Sequence, residues 1–183
     1  MSKTGETIGV LLAAGAGTRY GKPKVLAGQG EWLRVAVGAL LDGGCDEVVV
    51  VLGAAVVDVP APARAVVAEH WADGMSASLR AGLAAADGAR RVVLHLVDTP
   101  DVGPDVVRRV LAAADDSATG LVRTSYGGRP GHPVVIAASY WPALVASLHG
   151  DQGARQFLAT HASEVVVVDC GDLATGADID TPV

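Results

Sequence analysis

Residues Ile8 to Leu26 read IGVLLAAGAGTRYGKPKVL. Ile8 to Leu12 is an apolar, branched run of strand length, followed by small residues and glycines and then by three cations, Arg19, Lys22 and Lys24. This pattern predicts a buried strand that opens into a phosphate-sized loop. Gly15 and Gly17 can take positive φ and carry no Cβ, so successive backbone N–H groups can turn inward to form a concave anion site. Besides Lys3, the chain's lysines are Lys22 and Lys24, so an acidic protein has set its few ammonium groups beside a glycine loop.

Two familiar phosphate loops fit poorly. Tyr20 stands where the dinucleotide fingerprint requires its third glycine, and no acidic residue follows at the ribose-binding distance. Pro23 follows Gly21-Lys22 where a Walker loop needs Ser or Thr and the start of a helix. Pro23 also disfavours helical φ/ψ at Lys22, so the loop should stay extended to about Lys24, whose side chain can then reach back over it.

The chain has 183 residues, which suits a single domain over 1–183, large enough to bury roughly 70% of the surface its unfolded form exposes. Hydrophobic residues are 50% and aromatics only 4%, so the core must be built of Val, Leu and Ala. A formal net charge of −6 argues against a nucleic-acid partner, because no basic face is available to release counterions. Cys45 and Cys170 lie far apart, with no CxxC or zinc spacing, and read as reduced thiols of a cytoplasmic protein. The apolar run after Lys3 is short and leads into cations, unlike a signal peptide, and Gly53 interrupts the run at Val48 to Val57. Both fall below the ~20 residues of a membrane helix, so no membrane partner is expected.

Strands and helices alternate. Trp32, Leu33, Val37, Leu40 and Leu41 share a helical face that Gly43-Gly44 ends. Strands are expected at Glu47 to Leu52, Arg64 to Ala68 and Arg91 to Val97, with helices from Ser76 and from Pro104. A hairpin follows, Gly120 to Thr124 and Pro133 to Ala137 around Gly127-Gly128, then two short helices and a last strand at Glu164 to Asp169. The order implies an α/β fold: one three-layer, Rossmann-like domain whose mainly parallel sheet carries a β-hairpin elaboration.

Leu12 to Lys24, LAAGAGTRYGKPK, resembles the LAAGxGxRxGxxK signature of the MobA-like NTP transferases, and most closely that of the molybdenum-cofactor cytidylyltransferases. GMSASLRAGL from Gly74, VDTPDV from Val97, GRPGHPVVI from Gly128, GDQGAR from Gly150 and DIDTP from Asp178 agree in order with the same family. The resemblance implies a fold like that of the nucleotide-diphospho-sugar transferases. It also implies transfer of a nucleoside monophosphate, CMP from CTP, to the phosphate of a molybdopterin-type acceptor, with loss of pyrophosphate. Arg19 and Lys24 then act on the phosphates, and Leu12, Ala13, Ala14, Gly15, Gly17 and Thr18 cradle the nucleotide. LAAG, where guanylyl members typically read LAGG, favours cytidine.

Other candidates have bland alternatives beside the implied ones. Ser76 and Ser78 are competent caps for the helix they open, whereas the resemblance places Gly74 and Ser78 on the cytosine edge. Asp98 is a plausible turn residue before Thr99-Pro100, and Asp178 and Asp180 a plausible solvated turn. The resemblance instead makes Asp98 and Asp180 ligands of Mg2+, an ion suited to one or two carboxylates plus phosphate oxygens. Asp151 fits the cap of the helix after it, while the resemblance puts Asp151, Arg155, Arg129 and His132 near the acceptor. His95 reads as a core histidine. Val97 departs from the family, which usually has Gly there. Three other readings stay open: a sugar or polyol phosphate as acceptor, a non-catalytic maturation factor, and docking to a molybdenum hydroxylase.

Overall fold

Every residue of β1 (Thr7–Ala13) is buried, and so is nearly all of β2 (Glu47–Leu52) and β4 (Arg91–Leu96), because helices cover both faces of the strands. The computed structural model describes residues 6–182. With β3 (Arg64–Val67), β5 (Leu121–Tyr126), β6 (Arg129–Ala137) and β7 (Val166–Asp169), these strands form one sheet in the order β3-β2-β1-β4-β6-β5-β7. The β1-β2, β2-β3, β1-β4 and β5-β7 pairs are parallel, whereas β4-β6 and β5-β6 are antiparallel. The expected hairpin is therefore built into the sheet, with β6 paired directly to β4.

One face carries α1 (Glu31–Gly43) and α3 (Pro104–Asp116) over Leu11, Val50, Val93 and Val135. The other carries α2 (Met75–Ala85), α4 (Trp141–Ser147) and α5 (Arg155–Thr160) over Val10, Val49, Leu94 and Ile136. Alternate residues of each central strand thus enter different cores, as the pleat requires. Gly44, at φ 120°, closes α1, and Pro104 sits in the first turn of α3, both where the sequence puts them.

Several boundaries differ from expectation. β6 begins at Arg129 rather than Pro133, because pairing of Ser125 with Pro130 and Tyr126 with Arg129 resumes past a bulge after Arg123. β7 begins at Val166 rather than Glu164, because the Glu164 and Val165 amides both donate to the His161 carbonyl. Neither serine caps α2: its N-cap is Gly74, and no side chain of its own segment bonds there. Both cysteines are buried and unpaired, and burial pushes the Cys45 thiol up to about 12. No helix among the described residues is long and apolar enough to cross a membrane.

Candidate active site

β1 is flanked by β2 on one side and β4 on the other, and α1 and α2 lie on opposite faces of the sheet. The crevice beyond the carboxyl ends of β1 and β4 is thus the switch point at which open α/β sheets hold ligands. A cavity of about 620 Å3 lies there, within the range of small-molecule sites. Leu12, Ala13, Ala14, Gly15, Gly17 and Thr18 all line it, as do Arg19, Lys24, Gly74, Ser78, Asp98, Asp151 and Asp180.

The loop holds its shape through Gly17, at φ 62°, whose absent Cβ would run into the Lys22 carbonyl. Gly21 N–H donates to the Gly17 carbonyl at 2.8 Å and closes the turn. Gly15 does not use the positive φ open to it; a Cβ there would point into open space at the cavity wall. Its value is clearance for a ligand, not backbone freedom.

Lys24 does reach back, but to carboxylates. Its Nζ donates to Asp98 Oδ2 at 2.7 Å and to Asp180 Oδ1 at 2.7 Å, and Arg19 lies 3.3 Å from Asp180 Oδ2. Ligand oxygens of Asp98, Asp178 and Asp180 all lie within 4.8 Å of one another. Burial opposes the Lys24 charge, yet its hydrogen bonds to Asp180 and Asp98 win and hold its pKa above the ordinary value. The Lys24 hydrogen bond holds the Asp180 carboxyl below the usual range. An ammonium thus stands between the two carboxylates. The tail is anchored as well: Ile179 N–H donates to the Asp98 carbonyl at 3.0 Å.

Across the cavity, Gly74 at φ 111° gives way to a distant loop, since a Cβ there would meet Asp151 Oδ1 at 2.5 Å and the Gly150 carbonyl at 2.7 Å. Ser76 N–H donates to the Gly150 carbonyl at 3.0 Å and Met75 N–H to Asp151 Oδ1 at 3.3 Å. Asp151 thus caps α2, far away in sequence, rather than the helix that follows it, whose N-cap is Ala154. Ser78 is nearly buried against the cavity and its hydroxyl makes no hydrogen bond among the described residues. Trp71, Met75 and Tyr20 complete the walls and were not singled out by sequence reasoning. In a chain with three Trp and three Tyr, the aromatics next to glycine motifs were the available signal.

Arg129, His132 and Arg155 do not line this cavity. His132 follows β4's neighbour β6 toward the same edge, and burial, with the charge of Arg123 nearby, pushes it down to about 4. Arg123, on β5, had not been considered.

The model of the MobA-like NTP transferase domain matches residues 9–165, a span that contains the loop, α2 and Asp98. The chain belongs to this family. Among family-sized relatives, nicotine blue oxidoreductase of Paenarthrobacter nicotinovorans is 41% identical over 186 residues, covering 94% of this chain and 91% of that protein. The crystal structure of Rv0371c from Mycobacterium tuberculosis H37Rv superposes with a TM-score of 0.74 at 28% identity, covering 97% of this chain and 94% of that one. Rv0371c has also been crystallised in complex with manganese, with a TM-score of 0.70 at 26% identity over 95% of this chain and 94% of that one. A nucleotidyl transferase from a Methanothermobacter species, Mth528, shares the fold with a TM-score of 0.79 at 23% identity, covering 96% of this chain and 92% of that one.

Against the MobA-like pattern, Val97 is a core residue that also lines the cavity beside Asp98. Its N–H donates to the Leu12 carbonyl at 3.3 Å, so the end of β4 runs beside the end of β1 with a branched side chain facing the site.

Proposed function

We propose that this MobA-like protein is a nucleotidyltransferase that moves CMP from CTP to the phosphate of a molybdopterin-type acceptor. An acceptor phosphate oxygen attacks the α-phosphorus, the bond from that phosphorus to the bridging β-oxygen breaks, and pyrophosphate leaves. What carries the reading is the meeting, at one sheet edge, of the Gly15–Lys24 loop with Asp98 and Asp180, segments remote in sequence. Such chemistry asks the protein mainly for alignment and for stabilisation of charge on phosphate oxygens. Loop amides, Arg19 and Lys24 serve the phosphates, while Gly74 and Ser78 meet the cytosine edge.

The acidic residues suit a divalent cation, and Mg2+ is the ion proposed. Asp98 Oδ1 is buried with no partner among the described residues, and the cluster already grips the ammonium of Lys24 as a resident cation. Asp98 and Asp180 would hold the ion, which when bound neutralises charge on the triphosphate. Lys24, released from the carboxylates, is then free to turn to phosphate.

One observation favours a second reading: the relative with 41% identity over nearly the whole chain is named an oxidoreductase. On that reading the same crevice serves redox chemistry on nicotine blue. Both are tested with the purified chain by screening NTPs and phosphorylated acceptors for pyrophosphate, and by following nicotine blue with reduced nicotinamide nucleotides. Pyrophosphate formed only with CTP and an acceptor supports transfer. Nicotine blue turnover without pyrophosphate from any pair overturns it.

A further inference from the structure

Of the three tryptophans, two have partners inside the protein. The Trp32 ring packs tilted against Tyr20, with centroids 5.3 Å apart, and Trp141 Nε1–H donates to the Ile136 carbonyl at 3.2 Å. Trp71 is the contrast. Its ring has no aromatic neighbour and its Nε1–H no acceptor among the described residues, yet it is half-buried and lines the nucleotide cavity. Part of the side chain packs against the core on the α2 face of the sheet, and the rest is wall to the cavity. An indole carries one of the largest apolar faces of any side chain, and a chain with 4% aromatics has turned one of its few toward a ligand space.

The ring is seated from behind. Gly53 follows β2, and a Cβ there would lie 2.6 Å from Trp71 Cβ, 2.7 Å from Trp71 Cγ and 2.7 Å from the Ala14 carbonyl oxygen, so the missing side chain is what lets the root of the indole lie this close to the ends of β1 and β2. Ala54 N–H donates to the same Ala14 carbonyl at 3.0 Å and ties this seat to the nucleotide loop. The Trp71 backbone is held at both ends: its N–H donates to the Ala68 carbonyl at 3.1 Å, and its carbonyl accepts from Gly74 N–H at 3.2 Å. Trp71 therefore stands beside Gly74 and the exit of β2, whereas Asp98 stands at the exit of β4. β1 runs between these two strands, so their exits are about 10 Å apart at strand spacing. A nucleotide with its phosphates at the Asp98 end has its base at the Trp71 end.

We propose that Trp71 is the platform on which the nucleobase stacks, while Gly74 and Ser78 meet the edge of the same base. That the cavity takes a nucleotide rests on the transfer reading above. CTP and inorganic triphosphate, each with Mg2+, are titrated calorimetrically into the wild type, Trp71→Phe and Trp71→Ala. Trp71→Ala should weaken CTP by about ten- to a hundredfold, the worth of one base–aromatic stack, and leave inorganic triphosphate unchanged. Trp71→Phe, which keeps a ring on the same seat, should retain most of the CTP affinity. A second measurement needs no loss of the ring: in the wild type carrying 5-fluorotryptophan, CTP but not inorganic triphosphate should move the 19F signal that is missing from Trp71→Phe. Equal losses for CTP and triphosphate would make Trp71 a structural residue only, and they overturn the platform. An unweakened Trp71→Ala, or a Trp71 signal that saturating CTP leaves in place, overturns it too. So does a wild type that binds CTP no more tightly than triphosphate, because no base is then held. Stacking found in a protein that releases no pyrophosphate with any acceptor keeps the platform and removes only the transfer.

Discussion

Lys24 is the residue on which the site turns. In the structure it is a tethered cation between Asp98 and Asp180, so removing it does more than remove a phosphate contact. Lys24→Ala leaves two part-buried carboxylates facing each other, and should lower the stability of the nucleotide-free protein by about 1–2 kcal/mol, between the values of exposed and buried ion pairs. Mg2+ alone should restore much of that loss in the variant and do little for the wild type, read as a shift in Tm; a variant that melts like wild type without metal contradicts the bridge. Gly15 makes the opposite case. A Cβ there meets nothing in the protein, so Gly15→Val should leave Tm unchanged while weakening CTP by about tenfold or more in calorimetry, since the branch fills the space a ligand needs.

Among the elements, α2 and the loop at Gly150–Asp151 form one unit. Helix N-terminal amides need acceptors, and α2 finds them far away in sequence instead of in Ser76 or Ser78. Asp151→Ala should cost about 0.5–1 kcal/mol as a long, exposed cap, and should also loosen the wall that carries Met75 and Ser78. CTP affinity should then fall although Asp151 need not touch the base; unchanged affinity with lowered Tm would mean that the loop only caps. Such a contact is invisible to local sequence reading, because capping patterns are sought within a few residues and this one spans the chain. The same holds for Lys24, whose carboxylate partners lie on β4's exit and on the tail. By contrast β1, β2 and β4 were legible as uninterrupted apolar runs, since burial on both faces leaves no polar alternation to misread. The start of β6 was not, because Arg129-Pro-Gly-His-Pro offers two prolines and no apolar pattern. Arg123 was hidden for a related reason: one cation in an alternating strand looks like a solvent-facing residue.

Over the whole molecule, two histidines should make stability fall with acid. His95 is fully buried with both ring nitrogens unpartnered among the described residues, and burial, aided by His132, pushes it down to about 3; burial likewise pushes His132 down to about 4. Both are neutral in the folded protein where the unfolded chain, near 6.5, already binds protons. Unfolded molecules thus bind more protons between pH 6.5 and the folded values, and stability falls with acid by up to about 1.4 kcal/mol per pH unit per histidine. Denaturant melts from pH 7 to 4 should show this slope, and His95→Leu should flatten it; an unchanged slope in that variant would place the acid sensitivity elsewhere. The neutral core histidine was expected from its strand. Its lack of any partner was not, since only the packed structure shows what surrounds it.

The central claim, that the crevice between β1 and β4 transfers a nucleotidyl group, is tested most directly by following the α-phosphorus. With CTP labelled there, Mg2+ and a molybdopterin-type acceptor, the label should appear on the acceptor in equal amount with unlabelled pyrophosphate, and Asp98→Asn should abolish most of it. Label that stays in CTP with every phosphorylated acceptor, in a protein that binds CTP and is folded, would contradict the account.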